Sequence, residues 1–115
     1  MTQTACELTD RHCEPCEGGQ PTLAADAIDE RLRQLDPGWT ADATRAFIRR
    51  DFRFKGFNKT MSFVNALAWI ANREMHHPDL EVGYDHCCVT LTTHAIGGLS
   101  DNDFIVAAKI DQLLA

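Results

Sequence analysis

The stretch "EMHHPDLEVGYDHCCVTLTTH", residues 74 to 94, carries His76 and His77 side by side ahead of Pro78 and closes on His94, so with His86 between them four of the chain's five histidines fall in one short segment. Imidazole is the side chain whose unperturbed pKa lies nearest neutrality, which suits it to proton transfer or to metal binding. Histidines are also tolerated at turns and strand ends, so a structural reading stands beside the functional one. Three histidines with an open fourth position would also suit zinc. Against that, the segment has no H-x-x-x-H pair and no carboxylate clearly placed to support a ligand.

The elements around these residues decide whether they meet. From Asn58, a candidate N-cap, an apolar stripe of Phe63, Leu67 and Ile70 predicts a helix. Pro78 biases His77 away from helical angles and ends that helix near His76. Beyond it, a short extended piece at Leu80 to Val82 precedes "HCCVTLTTH", a Val- and Thr-rich strand. On that strand His86, Cys88, Thr90, Thr92 and His94 share one face, and Cys87, Val89, Leu91 and Thr93 the other. Thr93 then points away from His94, with its backbone expected to be open to a ligand. A strand end lying beside the helix end would bring all three imidazoles to one cleft.

The remaining elements follow from the same periodicities. "TLAADAIDERLRQL" predicts an earlier helix with acids first and arginines last. In "AFIRRDFRF", Ile48, Phe52 and Phe54 alternate with charged neighbours, as in a half-buried strand. Ser100 and Asp103 make an S-x-x-D capping pattern for a last helix. The order predicts an α+β domain over residues 22–115, with an antiparallel sheet and helices on one face. Residues 1–21 are expected to be a loosely packed polar arm. Trp69 is expected in the core, and Trp39 there or beside the site.

At 115 residues with 44% hydrophobic and 24% charged side chains, one globular domain is expected. Seventeen acids against 11 bases argue against a nucleic-acid-binding protein. No run is apolar enough to span a membrane, and the polar start does not resemble a secretory signal, so a cytoplasmic location is expected. Cys6, Cys13, Cys16, Cys87 and Cys88 form no disulfide framework. "HCEPC" holds one C-x-x-C with His12 beside it, a weak metal or redox signal best read as plain surface cysteines.

The pattern "HHP", Tyr84 seven residues after His77, "TH" ending at His94, then "GGLS" and Asp103, resembles the pterin-4a-carbinolamine dehydratase family. The resemblance runs from about Leu35 to the C-terminus and takes in Trp39, "FRFKGFN" and "SDNDFIVAAKID". It implies a four-stranded antiparallel sheet with about three helices on one face. It also implies dehydration of 4a-hydroxytetrahydropterins without cofactor or metal, in recycling the pterin of aromatic amino acid hydroxylases. His76, His77 and His94 would be catalytic, with His77 and His94 as the principal acid/base pair. His76, His77, Pro78, Thr93, His94, Ala95 and Ile96 would hold the pterin, supported by Asp103 and Trp39. A homodimer or dimer of dimers is implied, with "CVTL" as the expected pairing edge. The alternative is a non-enzymatic dimerisation or coactivator-type module on the same scaffold. Met75 and Asn72 stand where many family members carry carboxylates.

Overall fold

The computed structural model describes residues 5–15, 18 and 20–115. In chain order the elements are α1 (Ala5–Asp10), α2 (Ala25–Leu32), β1 (Thr40–Ala41), β2 (Ile48–Arg53), α3 (Phe57–Glu74), β3 (Asp79–Val82), β4 (His86–Leu91), a 3-10 turn (His94–Ile96) and α4 (Asp101–Gln112). The strands form one antiparallel sheet in the order β1-β2-β4-β3. Helix and sheet together make the α+β architecture expected from the periodicities.

β2 keeps the predicted alternation: Ile48 and Phe52 are buried while Arg49, Asp51 and Arg53 are exposed. Against it lie Cys87, Val89 and Leu91, all inaccessible to solvent. α3 covers this face with Phe63 and Leu67, and Phe63 packs on Phe52 at a ring separation of 4.6 Å. α4 is buried along nearly its whole length, from Asn102 to Ala108 and again at Ile110. A helix apolar all round needs cover on every side; α3 and α1 both pack against it.

Four expectations are corrected here. β4, which carries "CVTL", is not an edge: it pairs with β2 through Phe52↔Cys87 and with β3 through Val82↔Cys87. Its backbone is used on both sides, so the longer open edge is β3. Asn58 is not the N-cap, because α3 already starts at Phe57, after Gly56 with φ 108°. Trp69 lies on the outer face of α3, 62% exposed, with the Arg73 guanidinium over its ring. The arm, expected to pack loosely, contributes Leu8 to the core with no exposed surface. Burying one leucine contributes about 2 kcal/mol toward holding such a segment down. The Cys6 side chain and Cys16 lie outside what is described, so the C-x-x-C reading is not resolved further. Among the described residues no helix is long and apolar enough to cross a membrane.

Candidate active site

α3 ends by reversing direction. Met75 takes a left-handed conformation, φ 54°, and the His76 N–H donates back to the Ala71 carbonyl at 3.2 Å. This closure folds His76 under the helix end, toward the start of α4. Its Nε2 lies 2.6 Å from Asp103 Oδ1, and the Asp103 side chain has no exposed surface. The other Asp103 oxygen accepts from the Thr93 hydroxyl at 2.8 Å and from the Ser100 N–H at 3.0 Å. The capping box predicted from Ser100 and Asp103 is present. One carboxylate therefore caps α4, anchors Thr93 and holds His76.

His77 is exposed, with Nε2 3.1 Å from Asn72 Oδ1. His94 is exposed as well, with Nε2 3.8 Å from Asp79 Oδ2. It begins the 3-10 turn and does not end β4, which stops at Leu91. Even so, the three imidazoles line one cleft of about 780 Å³, together with Thr92, Thr93 and Ala95. Pro78 and Ile96 flank lining residues without lining the cleft themselves.

Two expected contributions are absent. The Thr93 backbone is not open to a ligand: its N–H donates to the Gly98 carbonyl at 2.9 Å, and its own carbonyl accepts from Ile96 at 3.2 Å. Trp39 is elsewhere, buried edge-on to Phe52, with its Nε1–H donating to Asp111 Oδ1 at 2.8 Å. It is not among the cleft-lining residues.

Glu74 was missed as a site neighbour. Its carboxylate is buried and bonded to Lys109 Nζ at 2.8 Å, the Cys13 N–H at 2.8 Å and His12 Nδ1 at 2.9 Å. Burial raises its pKa, but these bonds, Lys109's first, outweigh burial and hold it at about 2. The signal was present in α3: the buried series Phe63, Leu67, Ile70, Ala71 continues at helical spacing to Glu74. Beside it the Cys13 thiol is pushed up to about 12, chiefly by burial and then by the Glu74 charge, so it stays protonated. Among the described residues no group of three His, Cys, Asp or Glu side chains is arranged to hold a metal ion.

The arrangement suits proton transfer. A ring nitrogen held by a buried carboxylate sets the orientation of His76. His77 and His94 present exposed rings to whatever fills the cleft, each able to give or take a proton.

The family model for pterin 4 alpha carbinolamine dehydratase matches residues 21–113. A protein of Nitrosomonas europaea is 56% identical over 108 residues, covering 94% of each chain. One of Legionella pneumophila strain Corby is 54% identical, covering 94% of this chain and 96% of its own. Both are provisionally named pterin-4-alpha-carbinolamine dehydratases. Among solved structures, a transcriptional coactivator/pterin dehydratase from Brucella melitensis superposes with TM-score 0.78 at 33% identity, over 83% of this chain and all of that one. A pterin dehydratase-like RuBisCO assembly factor of the alpha-carboxysome, 23% identical with TM-score 0.58 over 66% of this chain and 88% of its own, shares the fold.

Proposed function

Because the chain belongs to the pterin 4 alpha carbinolamine dehydratase family, we propose that it converts a 4a-hydroxytetrahydropterin to quinonoid dihydropterin and water. The observation that carries this reading is the convergence of His76, His77 and His94 on one cleft. The reaction needs what imidazoles supply. The ring nitrogen beside the carbinol carbon forms a C=N bond as the C–O bond breaks. A protonated imidazole gives its proton to the departing oxygen, and a neutral one takes the proton from the ring nitrogen. The sum is one water, with no electron gained or lost.

We assign the acid and base to His77 and His94, whose rings are exposed in the cleft, and orientation to His76, fixed by Asp103. Backbone groups of His77 and Ala95, residues that line the cleft, would hold the pterin edge. Thr93, turned inward, serves by supporting Asp103. The turnover would recycle pterin for aromatic amino acid hydroxylases in the cytoplasm, by a homo-oligomer paired through the open β3 edge.

The test is stopped-flow absorbance of carbinolamine loss, the substrate being generated by a pterin-dependent hydroxylase. Acceleration should survive EDTA and fall about 10²- to 10⁴-fold in His77→Ala and in His94→Ala. Folded wild type no faster than background would overturn the reading in favour of a non-enzymatic binding module.

A further inference from the structure

The segment from His12 to Pro15, ahead of the residues that the family model matches, touches the body of the protein at points beside the histidine site. His12 and the Cys13 N–H bond to Glu74, two residues before His76. Glu14 makes a two-way clamp with Asn102, the neighbour of Asp103. Its N–H donates to Asn102 Oδ1 at 3.0 Å, and its carbonyl accepts from Asn102 Nδ2 at 2.6 Å. The Cys13 thiol adds a contact to the Asn102 carbonyl at 3.6 Å. Gly18 then lies against Ala95, the neighbour of His94; a Cβ there would sit 3.6 Å from the Ala95 carbonyl oxygen.

The two bonded anchors and the close approach of Gly18 each fall within two residues of a group the site uses, and they lie on three separate elements: the end of α3, the start of α4 and the 3-10 turn. His12, Cys13, Glu14 and Pro15 also line the same cleft as the histidines. We propose that residues 12–15, with Gly18, form a strap that fixes the relative positions of His76, His77 and His94, and that Asn102 and Glu74 are positioning residues acting through it. The catalytic consequence rests on the dehydratase reading; the geometric one does not.

The physical reason is the site's construction. His76 is held directly by Asp103, whereas among the described residues His77 and His94 meet exposed partners only and depend on their backbones for position. An acid and a base from different elements work only if the spacing between those elements is fixed, and a misplacement of about 1 Å costs about 10²-fold in rate.

Asn102→Ala removes the clamp without touching an imidazole. Asn102→Ser withdraws both clamp atoms while keeping an uncharged polar side chain at the start of α4, and serves as the milder variant should Asn102→Ala fail to fold. The first readout is the carbon–proton NMR spectrum of the histidine rings in folded protein. His77 and His94 signals should shift or broaden while His86, at the start of β4 and bonded to Asp85, stays in place. The second is steady-state dehydration, where the loss should appear in kcat, by about 10- to 100-fold. Unmoved His77 and His94 signals in a folded variant would overturn the proposal. So would a change confined to KM, which would make the segment a mere wall of the cleft. Wild type without turnover, together with shifted ring signals in the variant, would retain the strap and remove the dehydratase reading.

Discussion

His76 and Asp103, 27 residues apart, meet through a 2.6 Å contact between Nε2 and Oδ1. That contact joins the reversed end of α3 to the capping box of α4, so one carboxylate serves both fold and site. Asp103→Asn keeps the shape and removes the charge. The variant should lose about 1–2 kcal/mol from the weakened cap and inner bonds. It should also lose about 10- to 100-fold in kcat as His76 loses its orientation. Thermal unfolding and stopped-flow dehydration separate the two. Thr93→Val, which removes one bond to the same carboxylate and one to the Ser100 hydroxyl, should show a stability loss of about 1–2 kcal/mol with a smaller effect on rate.

Acid should weaken the protein through Glu74. Its carboxyl sits at about 2 when folded, against 4.5 ordinarily. Folding therefore favours the ionised form, and the resulting stability is fully present above about pH 4.5 and drains away toward pH 2. Glu74→Gln should be less stable at neutral pH by about 3 kcal/mol, because Lys109 loses its buried partner. Between pH 4.5 and 2 its stability should then fall less steeply than that of wild type. Urea titrations across that range give both slopes, and equal slopes would refute the assignment.

Trp39 offers a control on the geography of the site. Its indole packs on Phe52 and donates to Asp111, away from the histidine cleft. Trp39→Phe should cost about 1 kcal/mol for the lost hydrogen bond and leave kcat/KM within about twofold of wild type. A large activity loss at unchanged stability would return Trp39 to the site.

Met75 holds a left-handed backbone, φ 54°, with its side chain largely in solvent. Glycine takes that conformation without the steric cost a side chain brings. Met75→Gly should therefore raise stability by about 1 kcal/mol, or roughly 4 °C or more in Tm, as measured by calorimetry.

Residue order was enough wherever local forces are in control. The alternation of β2, the stripe of α3 and the S-x-x-D cap each depend on residues a few positions apart, and each appears in the fold; α3 ends at Glu74, where Met75 turns left-handed, ahead of the stop expected from Pro78. The histidine-bearing segment was legible for the same reason, since residue types and spacing carry the family pattern. What failed locally was decided by small details, such as Gly56 with positive φ letting α3 begin at Phe57 and not beyond Asn58.

Which distant groups meet was settled by the closed fold. Nothing near His76 in sequence marks Asp103 as its partner, because that pairing follows from where α3 and α4 cross. Strand propensity made "CVTL" a strand but was silent on its neighbours, and the pairing register placed it in the centre of the sheet. The arm looked loose because its composition is polar; one leucine finding the core and one buried carboxylate finding its backbone hold it against the site. Such contacts become favourable only once the chain has closed, so residue periodicity carries no record of them.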